Sequence, residues 1–166
     1  MGRSGERAPA PARSPRGRRI THEMHKGGDV LFVGAFERQL DDKGRLALPA
    51  AVRGRLGDHC YLAKGPDKSV TVVPSHTFEE EAARMAARVQ SGEVSRNELR
   101  ALAASAVLVT LDKQGRINLD DALRTYGELP TPGPVMVAGS FDRLEVWSLD
   151  RYERVNQAGT GELAGE

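Results

Sequence analysis

The chain has 166 residues, of which 39% are hydrophobic and 28% are charged, as expected for one soluble domain plus a tail. The sequence contains no apolar run of about 18 residues, which excludes a membrane-spanning helix, and its single cysteine excludes an internal disulfide framework and suits a reducing cytoplasm. The net charge of +1 is uneven: residues 1–29 hold seven Lys or Arg and three acids, which leaves 17 basic and 20 acidic residues, net −3, elsewhere.

Residues 1–29 form a basic extension rich in Arg, Pro, Gly and Ala. We predict that this extension is disordered, because its composition cannot bury enough apolar surface to offset the entropy of ordering. It lacks the apolar stretch of a secretory signal. A basic arm that grips phosphate, a solvated extension and a start codon placed too early all remain open. His22 and His25 are too few ligands to predict a metal site.

A short apolar run, Val30–Val33, lies between two glycines and predicts a buried strand. A tight turn follows. Asp41 can accept hydrogen bonds from backbone amides within the turn, and Gly44 can take the positive φ that other residues resist. Arg45 is therefore presented from a stiff base, and the alternation of residues 46–48 predicts that a strand resumes there.

Helices are predicted after this strand and in the middle of the chain. Pro49 through Leu56, closed by Gly57, has the pattern of a two-turn helix, although Gly54 weakens it. A second helix runs from Ser75 to about Val89, and a third starts at the capping box of Ser95 and Glu98.

The turn pattern returns 71 positions later, at Leu111–Asp120, after a predicted strand at Val107–Val109. The match continues through the next helix, for which Asn118 is a candidate cap and Gly127 the end. Asp120 and Asp121 place negative charge at the positive end of this helix. Two copies alone suggest a pseudo-symmetric single domain, because a solenoid needs three or more repeats.

The last predicted helix covers Leu149–Val155, with Ser148 as its cap, and the chain is expected to fray from Ala158 onward. The sequence thus divides into five parts. They are the extension at 1–29, a first repeat at 30–75, a helical insert at 76–104, a second repeat at 105–155 and a tail at 156–166.

The two turns carry the candidate binding residues. Arg45 and Arg116 are the strongest candidates, because a guanidinium can pair with both O6 and N7 of guanine in the major groove. Arg45 could instead merely pair with Asp41 to hold the turn. The remaining turn residues are assigned as further contacts with phosphate or base (Lys43, Lys113, Gln114) and as scaffold (Asp41, Gly44, Asp112, Gly115). For Arg53 and Arg124, phosphate contact, a solvated face and an interface all stay open.

An enzymatic function has little support in the sequence. His59 and Cys60 are adjacent on a predicted strand, so they point to opposite faces and cannot form a nucleophile and base pair. The chain has no phosphate-binding glycine loop of the P-loop or Rossmann pattern. We therefore expect no catalysis, no cofactor and no metal.

Together, the segment Asp41–Pro49 and its echo Asp112–Arg116 resemble the MraZ family, bacterial transcription regulators of the division and cell wall gene cluster. The resemblance covers roughly residues 30–155. Phe32–Phe36 is similar to the usual start of the family, and Leu144–Ser148 to its closing strand.

The resemblance implies an α+β, SpoVT/AbrB-like swapped-hairpin fold, built from two pseudo-symmetric repeats with short flanking helices. It also implies a cytoplasmic, nucleoid-associated homo-oligomeric ring that binds short direct repeats of double-stranded DNA in its own promoter, mainly as a repressor. The chain departs from the family in its basic extension and at Asp120, which replaces a proline and favours a structural role for the second copy.

Two alternatives remain beside this interpretation. The fold could serve as a protein-interaction or assembly module whose basic turns meet an acidic partner. The basic extension could instead make the chain a non-specific binder of RNA or DNA.

Overall fold

The computed structural model describes residues 31–166. The predicted disorder of residues 1–29 and the histidine pair at His22 and His25 lie outside the described residues. The strands are β1 (Ala35–Leu40), β2 (Arg45–Ala47), β3 (His59–Lys64), β4 (Val70–Pro74), β5 (Val107–Thr110), β6 (Arg116–Asn118), β7 (Gly133–Gly139) and β8 (Leu144–Ser148). The helices are α1 (Ala50–Leu56), α2 (Ser75–Gln90), α3 (Arg96–Ser105), α4 (Asp121–Tyr126) and α5 (Leu149–Ala164).

The eight strands form one antiparallel sheet in the order β5-β3-β4-β8-β7-β1-β2-β6. Its two end strands, β5 and β6, are joined by a hairpin turn in which Asp112 N–H donates to the Arg116 carbonyl at 3.0 Å. This hairpin connects the two ends of the strand order and gives the sheet a barrel-like form.

The two repeats interlock within this sheet. The first-repeat hairpin of β1 and β2 pairs with β7 and β6 of the second repeat, while β5 of the second repeat pairs with β3 of the first. Strands β4 and β8 join the repeats again. The structure is therefore the predicted α+β swapped-hairpin fold, and neither repeat completes its part of the sheet alone.

The strand register shows a pseudo-two-fold relation between the repeats. Leu46 pairs with Ile117 at the centre of the β2–β6 ladder, and these residues occupy equivalent positions in the two turns. Thr71 pairs with Glu145 at the centre of the β4–β8 ladder in the same way. The two arginine turns consequently occupy equivalent positions in the backbone of the sheet.

One hydrophobic core serves both repeats. Strand alternation turns Leu46 and Ile117 inward, where both are at most 1% exposed, and the short helices add Val52, Leu56 and Leu123. Removing these side chains from water is the main stabilising contribution. Because the core draws on both repeats, a core defect in one repeat should also weaken the other.

The predicted strand at Val30–Val33 is wrong for its described residues. Only Phe32 pairs, in an isolated bridge with Phe141, and Leu31 and Val33 are half-exposed. The buried Phe32 side chain anchors the segment, and Gly34, at a positive φ of 87°, lies between this bridge and the start of β1. The apolar run thus reflects one anchor residue instead of a buried strand.

The predicted fraying after Ala158 is also wrong, because α5 continues to Ala164. Gly165 ends the helix in a left-handed conformation, and its N–H donates to the Glu162 carbonyl at 3.1 Å. This is a common way to satisfy the last helical carbonyls, and it gives the helix a defined end despite Gly159 and Gly161.

The other predicted helices are confirmed, with small shifts at their starts. α1 begins at Ala50, one residue after Pro49, and nothing in the structure explains Gly54 within it. The Ser95 hydroxyl accepts from Glu98 N–H at 3.0 Å, as the capping box predicts. Ser148 occupies the cap position of α5 but makes no side-chain cap bond.

The cap of α4 differs from the candidate in the sequence. Asn118 lies in β6, and Asp120 caps the helix by accepting from Leu123 N–H at 2.8 Å. Pro49, at the equivalent position in the first repeat, makes no such bond. The aspartate in the second copy is therefore a helix cap in place of a proline.

The buried thiol of Cys60 gives a test of this core. Cys60 is 0% exposed, and burial raises its pKa to about 12. We expect its reaction with a disulfide reagent at pH 8 to be about a thousandfold slower than that of an exposed thiol, because the thiolate is the reactive form. One thiol should react at once in denaturant, whereas rapid reaction of the native chain would contradict the described core.

Candidate nucleic-acid interface

The first turn is held by the carboxylate of Asp41. Its Oδ1 accepts from the backbone N–H groups of Lys43 and Arg45 at 2.9 and 2.8 Å, and its Oδ2 accepts from Arg45 Nε at 2.8 Å. The Asp41 carbonyl accepts from Gly44 N–H at 3.1 Å, and Gly44 has a φ of 79°. One aspartate thus fixes both the backbone of the turn and the direction of its arginine.

The second turn repeats this geometry. Asp112 Oδ1 accepts from the backbone N–H groups of Gln114 and Arg116, both at 2.9 Å, and Oδ2 accepts from Arg116 Nε at 2.7 Å. Gly115 has a φ of 71°, and its N–H donates to the Asp112 carbonyl at 2.9 Å. The predicted scaffold positions therefore make matching turn contacts in both copies.

These bonds lower the pKa of both turn carboxylates below the usual value of an aspartate. The backbone N–H of Arg45 is the largest influence that lowers the pKa of Asp41, and the Arg45 side chain adds to it against the opposing effect of desolvation. The backbone N–H and side chain of Arg116 lower the pKa of Asp112 in the same order. Each carboxylate remains an acceptor for its arginine throughout the physiological pH range.

Both arginines keep their outer nitrogens accessible. The side chains of Arg45 and Arg116 are 35% and 28% exposed, so neither is enclosed in the core. In the part of the chain from Leu31 onward, the side-chain hydrogen bonds of both run through Nε alone. The two Nη groups, which form the two-donor end of a guanidinium, therefore remain available for an outside acceptor.

The short β2–β6 ladder brings the two arginines to one surface. Arg45 is opposite Asn118, and Arg116 is opposite Ala47, on the face away from the buried Leu46–Ile117 pair. Arg45 and Arg116 are therefore diagonal neighbours across the ladder, and residues in this relation have Cα atoms about 7–8 Å apart. The pseudo-two-fold relation thus produces a pair of guanidinium groups on the outer face of the barrel.

Asn118 belongs to this surface although sequence reasoning assigned it to a cap. It is exposed in β6 and pairs with Arg45 across the ladder. The alternation of Arg116, Ile117 and Asn118, with the apolar residue in the middle, is typical of a strand and would have placed Asn118 on the same face as Arg116. An amide there adds a donor and an acceptor between the arginines.

The tips of both turns extend beyond the arginines. Lys43, Lys113 and Gln114 are all exposed, whereas Gly44 and Gly115 are buried beneath them. The structure thus brings Arg45 and Arg116 together on the β2–β6 ladder, and the exposed tip residues adjoin them in their own turns. A surface of this kind can offer ammonium groups to phosphates and guanidinium or amide groups to base edges.

Arg53 and Arg124 lie against the turns, each on the turn of the other repeat. Arg53 Nη1 donates to the Gln114 carbonyl at 2.9 Å, and Arg124 packs on Gly44. Of the options left open for these residues, the structure shows contact between the repeats.

Other kinds of site find no support from Leu31 onward. This region has no group of three His, Cys, Asp or Glu side chains placed to hold a metal ion. Across the same residues, no helix is long and apolar enough to cross a membrane.

Comparison with known proteins gives two matches to one family along the chain. Residues 31–99 and 102–160 each match the model described as "MraZ protein, putative antitoxin-like", so each block contains one turn. The chain is 40% identical to the "Transcriptional regulator MraZ" of Corynebacterium urealyticum over 134 residues. This alignment covers 81% of this chain and 92% of that relative.

Two further relatives carry the same name. The protein of Nocardioides sp. is 37% identical over 133 residues, which cover 80% of this chain and 91% of the relative. The protein of Corynebacterium glutamicum is 42% identical over 122 residues, which cover 74% and 84%, respectively.

Proposed function

Because the chain belongs to the MraZ family, we propose that it is a sequence-specific DNA-binding transcriptional regulator that binds short direct repeats in its own promoter and acts mainly as a repressor. On this proposal, the protein regulates its own operon, the division and cell wall gene cluster, and it is located in the cytoplasm at the nucleoid. The relatives named transcriptional regulators support the general function, and the turn geometry supports the mode of binding.

The single observation that carries the proposal is the pair of arginines on the outer face of the β2–β6 ladder. In each, Nε is held by an ionised aspartate, while the Nη groups make no hydrogen bond within residues 31–166 and stay available to an outside acceptor. Such a guanidinium is already oriented, so less conformational freedom is lost when it pairs with guanine O6 and N7. Lys43, Lys113 and Gln114 then contact the phosphates or base edges beside these guanines.

Several copies of the chain would bind together. A ring of subunits places successive arginine pairs on successive promoter repeats, and such linkage raises affinity by roughly 10²- to 10⁴-fold when all sites engage at once. The net charge of −3 on residues 30–166 disfavours non-specific adhesion. Specificity would therefore come from the turns together with the spacing of the repeats.

The proposal is tested by measuring binding of the full chain to DNA from its own upstream region and to a scrambled duplex of equal length. We expect tighter binding to the upstream DNA, with the logarithm of affinity falling by about 0.9 per neutralised phosphate for each unit of log salt. Equal affinity for both duplexes would contradict specific readout and favour a protein-interaction module.

Deleting residues 1–29 separates the turns from the basic extension. The shortened chain should keep its preference for upstream DNA, because the arginine pair lies outside the deleted segment. If the deletion abolishes all binding, the extension is the binding element and the proposed site is wrong.

A further inference from the structure

The backbone of each turn is held by residues of the opposite repeat. Leu48 N–H donates to the Gly115 carbonyl at 3.0 Å, and Leu119 N–H donates to the Gly44 carbonyl at 2.8 Å. These bonds join the strand that leaves one turn to the tip of the other. Neither tip therefore depends on its own repeat alone.

Arg53 adds a side-chain contact to the second turn. Its Nη1 donates to the Gln114 carbonyl at 2.9 Å, next to the Gly115 carbonyl that Leu48 already holds. A Cβ added to Gly115 would clash with Cδ and Nη1 of Arg53 and lie 2.8 Å from its Nε. The arginine thus lies directly on the glycine that shapes the turn below Arg116.

Arg124 makes the equivalent contact with the first turn, but in a different way. A Cβ at Gly44 would lie 3.0 Å from Nε of Arg124, so the guanidinium covers this glycine. Its Nη2 pairs with Asp121 on its own helix. Ala50 occupies the position of Asp121 in the first repeat, so Arg53 has no carboxylate at this place and binds the opposite turn instead.

We propose that Arg53 and Arg124 are positioning residues, each of which fixes the turn of the other repeat, so that Arg45 and Arg116 act as one reading unit. This inference rests on the proposed function for its effect on DNA, although the contacts themselves require no DNA. Arg53 holds its turn by packing and a charge-assisted hydrogen bond, whereas Arg124 holds its turn by packing.

The positioning role is tested in the free protein by amide hydrogen exchange of Arg53→Ala. Exchange of Gly115 and Arg116 should become about tenfold faster, because a charge-assisted hydrogen bond and the cover over the turn are lost. The equivalent amides, Gly44 and Arg45, should change little. In Arg124→Ala the effect should move to Gly44 and Arg45 and be smaller. If the exchange rates at the two turns changed by the same factor, or not at all, in both variants, the proposal would be overturned.

Binding measurements then separate positioning from direct phosphate contact. Arg53→Ala should reduce the ratio of affinities for upstream and scrambled DNA about fivefold, and Arg53→Lys should not restore it, because lysine lacks the planar donor fork. The proposal would be overturned if Arg53→Ala left the ratio of affinities unchanged. It would also be overturned, in favour of phosphate contact, if Arg53→Lys fully restored the ratio and Arg53→Ala lowered the salt slope. If the unmodified chain showed no preference, the proposed function would fail while the exchange result still stood.

Discussion

Replacing Arg45 and Arg116 together with alanine should reduce the affinity for upstream DNA to the level measured for scrambled DNA. Each oriented guanidinium discriminates its base by about 1–3 kcal/mol when it pairs with guanine O6 and N7. Each single variant should therefore weaken specific binding by about 5- to 150-fold, since 1.4 kcal/mol is tenfold. Titration of both duplexes at one salt concentration measures the loss.

Two control variants distinguish base readout from loss of charge. Arg45→Lys retains the charge but not the planar pair of donors, so it should weaken the preference for upstream DNA about as much as Arg45→Ala does and keep the salt dependence. Arg84→Ala removes an exposed arginine from α2, which packs on β3 and β4 away from the β2–β6 ladder, and it should leave both properties intact. If Arg45→Lys bound upstream DNA like the unmodified chain, base readout by the guanidinium would be refuted.

Adding a methyl group to either turn glycine should destabilise the whole fold. In Gly44→Ala the new Cβ would lie 2.6 Å from the Leu119 carbonyl, at a backbone φ of 79°. The left-handed conformation costs about 1–2 kcal/mol for a residue with a Cβ, and crowding in a packed site costs a further 1–3, roughly. We expect the free energy of unfolding in urea to fall by about 2–5 kcal/mol, and specific DNA binding to be lost with it.

Gly92→Ala is the matched control for this prediction. Gly92 has a φ of 82°, but a Cβ there would meet nothing within 4 Å. It should therefore lose only the conformational part, about 1–2 kcal/mol. Equal losses in Gly44→Ala and Gly92→Ala would show that a Cβ at Gly44 is tolerated, which would contradict the close packing of the first turn on Leu119.

Much of the fold could be predicted from the sequence because the turn motif occurs twice along the chain. The spacing from aspartate to glycine to arginine defines a turn locally, and the structure forms it in both copies with nearly the same hydrogen-bond lengths. The capping box at Ser95 is local in the same sense. Signals that depend on neighbours within a few residues were sufficient for these elements.

Features that depend on distant partners could not be predicted in the same way. Arg53 binds Gln114, which is 61 positions away, and no local pattern identifies that carbonyl as its acceptor. The apolar run before Gly34 resembles a strand, but only Phe32 finds a partner, Phe141. Asn118 is a good cap residue by type, yet pairing with β2 places it in a strand.

The most direct test of guanine recognition is to replace individual guanines of the upstream repeats with 7-deazaguanine, which lacks the N7 acceptor. We predict that the unmodified chain loses affinity at the contacted guanines, and that the Arg45→Ala, Arg116→Ala double variant shows no further loss at the same positions. Unchanged affinity of the unmodified chain for every substituted duplex would contradict the reading of guanine by paired guanidinium groups.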